Sequence, residues 1–221
     1  ILQAGHVCTG SFDPFDSICD QAAAAGAWVH IDGAFGLWAA ASPRFCDITK
    51  GLERADSWCG DAHKTLNAPY DCGIVLCKHR EALKEAMAAS GSYLQESNSH
   101  RDSMFYTPDM SRRARSVDLW VCLRTLGRSG VVELVDGLVD RAQEFAVLLR
   151  DAGFLVLNDV VFNQCLVRCE TCHQTSLTLE RLQQSGKMWC GGTKWNGKVA
   201  IRISCCSWAT TAQDVRECVD I

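Results

Sequence analysis

The sequence predicts an α/β protein with a mainly parallel sheet in its first part and a small α+β region at residues 153–221. The first observation is an Ala-rich helical pattern at residues 14–26 between two short apolar runs, the strand–helix–strand order of a parallel sheet. The second is a buried-strand pattern that ends at Asp32 and another that stops just before Lys64. The third is the succession of short strand patterns and Gly-rich turns after residue 152.

The first part begins with an expected strand and turn at residues 5–10, and Asp13-Pro14 starts the helix. The next predicted elements are a strand at 28–31, a connecting segment with a helical turn or two at 42–54, strands at 56–60 and 73–78, and a helix at 81–89. Residues 91–108 lose periodicity and are rich in Ser, Asn, His and Asp. This composition predicts a long loop.

Two helical patterns follow, at residues 117–126 and 130–152, and the second is long enough to bridge two domains. The small C-terminal region is expected to hold strands at 154–157, at 165–168, near Trp189 and at 199–204, with helices around 177–184 and from 210. Three regions are therefore predicted: residues 1–115, connecting helices at 116–152, and a C-terminal domain at 153–221.

Composition excludes some kinds of partner. The 221 residues carry 22 Lys and Arg against 26 Asp and Glu, a net charge of −4, and the one short basic run lies at residues 112–115. Nothing here favours nucleic acid or an anionic membrane surface. No apolar stretch reaches the roughly 20 residues that span a bilayer. We expect neither nucleic acid nor membrane as a partner.

The 14 cysteines mostly lie inside apolar strand or helix patterns, which favours reduced, buried thiols in a cytoplasmic protein over a disulfide framework. The sequence CETCH at residues 169–173 also matches the c-type haem attachment pattern. A zinc site that adds Cys165 is a further alternative, although no second CxxC pair supports it. We predict no metal site.

Lys64 and Asp32 are the candidate reactive residues. A partly desolvated lysine at a strand end becomes nucleophilic toward an aldehyde, and Asp32 is followed by Gly33 and Ala34, which let a flat molecule approach. An aspartate and a lysine at two strand ends suit pyridoxal 5'-phosphate, because the carboxylate keeps the pyridine nitrogen protonated and the lysine forms the Schiff base. The alternatives are a surface lysine and an aspartate that caps a helix.

Three blocks resemble the group II pyridoxal-phosphate amino-acid decarboxylases, which include the aromatic-L-amino-acid and glutamate decarboxylases. They are CTGSFDP at residues 8–14, VHIDGAFG at 29–36, and the segment from ADS at 55–57 through DAHK at 61–64 to PYDCG at 69–73. Their order and spacing also fit. The resemblance implies a fold-type I pyridoxal-phosphate transferase (aspartate aminotransferase-like): half of the large domain at residues 1–115 and the small C-terminal domain.

The resemblance also implies roles for residues around Lys64 and Asp32. Ala34 would pack on the pyridine ring, Thr9 would lie near the ring's 3-oxygen, and His63 would help to hold the phosphate. Asp61 is also a candidate for cofactor binding, although it stands where many relatives have Asn, and a carboxylate there would repel a phosphate unless it is protonated or turned away. Thr65 replaces a frequent aromatic residue, which indicates a different pocket edge.

Two more residues complete the predicted site. Tyr93 stands 29 residues after Lys64, where this family similarly carries a tyrosine on a catalytic loop. Either its phenol or Lys64 would return a proton to the substrate carbon after carbon dioxide leaves. The alternative is an exposed loop tyrosine. Arg202, in a predicted strand, would contact a substrate carboxylate or form a surface pair.

The resemblance implies decarboxylation of an L-amino acid to an amine by a cytoplasmic homodimer. It also implies that the chain is the C-terminal portion of a larger subunit, whose phosphate loop and stacking histidine lie upstream. The alternatives are an aminotransferase or carbon–carbon lyase on the same fold, in which Lys64 moves the proton, and a catalytically inactive truncated subunit.

Overall fold

The computed structural model of the chain describes residues 1–88 and 100–221, which form two four-stranded sheets. The strands of the first sheet lie side by side in chain order: β1 (Leu2–Gln3), β2 (His30–Asp32), β3 (Ser57–Asp61) and β4 (Gly73–Cys77). Strands β1, β2 and β3 are parallel, and β4 runs antiparallel to β3. Helix α1 (Phe15–Ala24) connects β1 to β2, so the predicted strand–helix–strand unit is confirmed.

The register of this sheet places the predicted site. Asp32, the last residue of β2, lies opposite Cys59 of β3, and Asp61 ends β3 two residues later. The carboxyl ends of parallel strands meet at one edge of a sheet, and ligands in such sheets bind outside that edge. The Asp32 carboxylate and the loop that carries Lys64 therefore share one edge.

The strand predicted at residues 5–10 is wrong. The strand ends at Gln3, and residues 5–10 form a turn in which the His6 carbonyl accepts the Gly10 N–H at 2.7 Å. Gly5 has a φ of 82°, and a Cβ on it would lie 2.8 Å from the Gly36 backbone nitrogen. The left-handed backbone and the close approach both require glycine, and they end the strand.

The other predicted strands and the helix of the first part are confirmed within a few residues, and residues 91–99 of the predicted loop lie outside the described residues. The connecting segment contains short 3₁₀ turns, at Leu37–Ala41, Pro43–Phe45 and Leu52–Arg54, and helix α2 covers Arg80–Met87. The two predicted central helices form one long element, α3 (Arg115–Asp151), which breaks at Gly127 with φ 63° and ψ −173°. The boundary between the two patterns is therefore a glycine in a conformation that other residues avoid.

The second half of α3 packs against both sheets. Val131, Val135 and Val139 lie in a core with Leu66 and Ala68 of the lysine loop, and Phe162 joins them. About one to three turns further on, the helix enters the core of the second sheet through Ala142, Phe145, Ala146 and Leu149. This single helix therefore links the loop that carries Lys64 to the C-terminal part of the chain. The three-region division stays a prediction.

The second sheet is antiparallel, with the order β5-β6-β8-β7. Its strands are β5 (Leu155–Val156), β6 (Gln164–Arg168), β7 (Gly191–Trp195) and β8 (Lys198–Ser204), and two helices, α4 (Cys172–Gln184) and α5 (Ala212–Val219), accompany it. Both helices begin with a capping box, at Thr171 and at Thr211. The predicted α+β region is present.

The CETCH segment has a structural role at the start of α4. Thr171 caps the helix, and the Cys172 thiol accepts the Val199 N–H at 3.5 Å. All 14 cysteines are free thiols. Within the described ranges, no group of three or more His, Cys, Asp and Glu side chains is placed to hold a metal ion. None of the helices described is both long and apolar enough to cross a membrane.

Candidate active site

Lys64 lies in the loop after β3, and its ammonium group has two close neighbours. The Nζ atom is 2.9 Å from Oδ2 of Asp61 and 4.2 Å from the centre of the Phe35 ring. The side chain is 25% exposed, which leaves it accessible from the sheet edge. The contacts hold the lysine between a carboxylate and an aromatic face.

His63 is fixed by its own loop. Its Nδ1 accepts the backbone N–H of Cys72 at 3.0 Å, so a neutral ring carries its proton on Nε2. That Nε2 is 3.7 Å from Asp61 Oδ2, and the ring packs on Tyr70 with 4.1 Å between the ring centres. His63 therefore presents one N–H toward Asp61, and this is the only ring donor available to an anion.

Asp32 is oriented by bonds to one of its two oxygens. Oδ1 accepts the Ala34 backbone N–H at 3.1 Å and the Cys59 thiol at 3.8 Å. Burial raises the pKa of that thiol, so it stays protonated and able to donate. No donor from residues 1–88 or 100–221 bonds Oδ2. One carboxylate oxygen is thus held in place while the other remains available to a ligand.

Phe35 connects the Asp32 loop to the Lys64 loop. Its ring lies under the lysine nitrogen, and its backbone carbonyl accepts the Thr65 hydroxyl at 2.8 Å. Thr65 is fully buried. Thr65 therefore uses its hydroxyl to join the two loops. This connection brings the two predicted reactive residues into one site.

Asn67 is a residue that the sequence analysis missed. It has a φ of 55°, and its side-chain amide donates to the carbonyls of Lys64, Thr65 and Cys206 at 3.3, 3.1 and 2.7 Å. Its Oδ1 accepts the Trp208 N–H at 3.1 Å. Asn is the residue most often found, after glycine, in this backbone region, and that preference was the available signal.

The Thr9 hydroxyl is used inside the turn that follows β1. It bonds with His6 Nδ1 at 3.1 Å and with Ser11 Oγ at 2.8 Å, and the residue is 8% exposed. The Thr9 carbonyl accepts the Asn158 side-chain N–H at 2.8 Å. The described contacts make Thr9 part of the scaffold between the two sheets, and they do not place it against Asp32 or Lys64.

Arg202 lies in β8 and reaches back to the first part of the chain. Its Nη1 donates to the Val7 carbonyl at 3.4 Å. Burial raises the pKa of the nearby Cys206 thiol to about 11, and the positive charges of Lys64 and Arg202 oppose that rise. Both cations therefore lie within electrostatic range of one sulfur atom. The second sheet contributes a positive charge on the side of the site that Lys64 occupies.

Tyr93 lies outside the described residues, so its predicted position is not part of this geometry. A cavity of about 540 Å³, lined by residues of α1 and by Asp47, Ile48 and Lys50, contains none of the predicted site residues. The predicted site is instead the open carboxyl edge of the first sheet.

The residues at this edge fit the functional groups of pyridoxal phosphate. The available Asp32 oxygen suits a protonated pyridine nitrogen, and the accessible Lys64 amine suits the aldehyde. Ala34 is partly exposed next to Asp32 and adds little bulk where a ring would lie. The His63 N–H is a single donor for a phosphate. The Asp61 carboxylate faces the Lys64 ammonium group and Nε2 of His63. Its negative charge is therefore directed toward these two groups.

A lysine and an aspartate at adjacent strand ends of this sheet define the fold-type I class of pyridoxal-phosphate enzymes, and the comparisons with known proteins specify the family. Residues 2–167 match the pyridoxal-dependent decarboxylase conserved domain. The chain belongs to this family, so the resemblance found in the sequence is confirmed.

Relatives and solved structures agree with the family. The chain is 30% identical to the aromatic-L-amino-acid decarboxylase of Rattus norvegicus over 94% of its own length and 44% of that protein. It is 25% identical to the phenylacetaldehyde synthase of Arabidopsis thaliana over 96% of its length and 46% of that protein. The structure of Oryza sativa TDC with PLP and tryptamine superposes with a TM-score of 0.90 at 25% identity, covering 99% of this chain and 48% of that one. The chain thus spans about half the length of the proteins it matches.

Proposed function

We propose that the protein carrying this chain binds pyridoxal 5'-phosphate and decarboxylates an L-amino acid to an amine and carbon dioxide. The single observation that carries the proposal is the placement of the Lys64 amine and a free Asp32 oxygen at one sheet edge, within a chain of the decarboxylase family. When bound, the cofactor supplies an electron sink for the pair left behind by carbon dioxide.

The chain's own residues have separate tasks in this proposal. Asp32 holds a proton on the ring nitrogen, since an ionised carboxylate there stabilises the charged pyridinium. Lys64 would hold the cofactor through its amine. His63 donates its Nε2–H to the phosphate, and Ala34 leaves room for the ring. Thr9 supports the site from the turn after β1, and its contact with the cofactor's 3-oxygen stays a proposal.

Substrate binding is proposed to use Arg202. An arginine near Lys64 can pair with the substrate carboxylate and orient it before it leaves as carbon dioxide. The relatives include enzymes named for aromatic L-amino acids, so these are the first substrates to test.

A second product is supported by one observation. The relatives include aldehyde synthases as well as decarboxylases, at similar identity to this chain. The assay must therefore measure amine, aldehyde and carbon dioxide together. Equal amounts of amine and carbon dioxide are the result expected from the proposed function. A keto acid as the sole product would instead indicate an aminotransferase.

Tyr93→Phe tests the proposed proton donor. The change removes one hydroxyl, so we expect cofactor binding to persist while amine formation slows by about 10²–10⁴-fold, the usual contribution of general acid catalysis. Carbon dioxide release should fall less than amine release, and an aldehyde should accumulate, with molecular oxygen as the oxidant and ammonia and hydrogen peroxide as co-products. Tyr106→Phe is the matched control, because that phenol bonds Arg80 at 2.8 Å. Unchanged amine turnover in Tyr93→Phe would remove Tyr93 from the mechanism.

We further propose that the protein is a cytoplasmic homodimer. The first half of α3 exposes Val117, Trp120 and Val121, an apolar face of the kind that subunit interfaces cover. The free thiols fit a reducing compartment. Sedimentation of the purified protein tests the dimer: a monomer at working concentrations would contradict it.

A further inference from the structure

The proposed function gives no role to the carboxylate of Asp61. It ends β3 opposite Gly73, and its Oδ2 is 2.9 Å from the Lys64 nitrogen and 3.7 Å from His63 Nε2. The side chains of Asp61 and Lys64 are each about a quarter exposed. The backbone supports this contact, because the Lys64 N–H donates to the Asp61 carbonyl at 3.2 Å and closes a turn.

The loop holds the lysine side chain from several directions. Thr65 anchors the next residue to Phe35, and Asn67 binds the Lys64 carbonyl from the other side. The backbone of Lys64 is therefore held in place, and only its side chain can change conformation. The face of the Phe35 ring and the Asp61 carboxylate together form a binding site for the Lys64 ammonium group.

We propose that Asp61 is the counter-ion of Lys64, a positioning residue that holds the lysine ammonium over Phe35 whenever the nitrogen is not bonded to the cofactor. The inference rests on the proposed function only in assigning the cofactor to Lys64. Cofactor binding would then compete with Asp61 for the lysine nitrogen. Asp61 thus acts on the lysine and does not bind the phosphate.

The test measures how fast the Lys64 amine of the cofactor-free protein reacts with an acetylating reagent at fixed pH. Peptide mass spectrometry gives the rate at each lysine, and the exposed Lys78 and Lys187 serve as internal references. Because only the uncharged amine reacts, Asp61→Asn should raise Lys64 labelling by about 1.5- to 5-fold, the range of a partly exposed ion pair. Asp61→Glu, which keeps the charge, should restore most of the protection.

Salt separates an ion pair from a structural effect. In about 1 M salt the screening length falls to about 3 Å, so Lys64 labelling of the unmodified protein should rise toward that of Asp61→Asn, whose own rate stays constant. Asp16→Asn is the matched control, because Asp16 pairs with Lys50 at 3.2 Å and its removal should leave Lys64 unchanged. If Asp61→Asn disturbs the fold, its far-ultraviolet circular dichroism spectrum changes, and the salt response of the unmodified protein then decides.

Two results would overturn the proposal: equal Lys64 labelling in the unmodified protein and Asp61→Asn at low salt, or no salt response in the unmodified protein. A parallel sample treated with pyridoxal phosphate and borohydride keeps the two proposals apart. Absence of a fixed adduct there contradicts the proposed function, while the labelling rates still judge Asp61. An adduct with unchanged labelling rates contradicts the counter-ion alone.

Discussion

Asp32→Asn should lower amine formation by about 10²–10³-fold, the usual cost of removing one preorganised electrostatic group from an active site. Asn keeps the shape of the side chain and can still accept the Ala34 N–H through its carbonyl oxygen. What it loses is the negative charge that favours a protonated pyridine nitrogen. The expected loss is therefore in turnover, and the fold should be unaffected.

The measurement compares turnover and far-ultraviolet circular dichroism for Asp32→Asn and for Asp151→Asn, an exposed control at the end of α3. Asp32→Glu, which keeps the charge on a longer side chain, should recover part of the activity. Activity within threefold of the unmodified protein in Asp32→Asn would show that this carboxylate does not serve the cofactor.

Phe162→Ala should destabilise the protein by about 3–5 kcal/mol, the usual cost of truncating a buried phenylalanine. Phe162 is 1% exposed and meets Phe12 and Phe45 edge-on, with ring centres 5.4 and 5.6 Å away. It lies in the core that α3 shares with the lysine loop. The truncation leaves a cavity at the junction of the two sheets.

Urea unfolding of the variant gives this free energy. Phe162→Leu keeps most of the apolar volume but loses the two edge contacts, each worth about 0.5–1.5 kcal/mol. Its free energy of unfolding should lie between those of the unmodified protein and Phe162→Ala. Trp189→Ala is the control, because Trp189 is 81% exposed and its truncation should change stability by less than about 0.5 kcal/mol. A loss below 1 kcal/mol for Phe162→Ala would show that this junction is not a tight core.

The positions of Asp32 and Lys64 could be predicted because each follows an apolar strand pattern, and parallel strands bring such ends together. The family blocks gave the same two residues. The break in α3 was also visible, since helical periodicity stops on either side of Gly127. Local sequence therefore contains the backbone framework of the site.

Other features depend on contacts that no local pattern contains. Asn67 binds the Cys206 carbonyl across 139 residues of sequence, so only the folded chain shows that it joins the lysine loop to the C-terminal part. The direction of the Asp61 carboxylate depends on side-chain rotation toward Lys64. The strand predicted at residues 5–10 failed because positive φ at Gly5 and Gly10 turns the chain, and apolar content alone does not reveal this.

Mapping the residue to which the cofactor attaches tests the assignment of the active site directly. The protein is incubated with pyridoxal phosphate, reduced with borohydride, digested, and the modified peptide is identified by mass spectrometry. We expect one modified residue, Lys64, and no fixed cofactor in Lys64→Ala, whereas Lys78→Ala is labelled normally. Modification spread over other lysines, or undiminished labelling of Lys64→Ala, would contradict the assignment of this sheet edge as the active site.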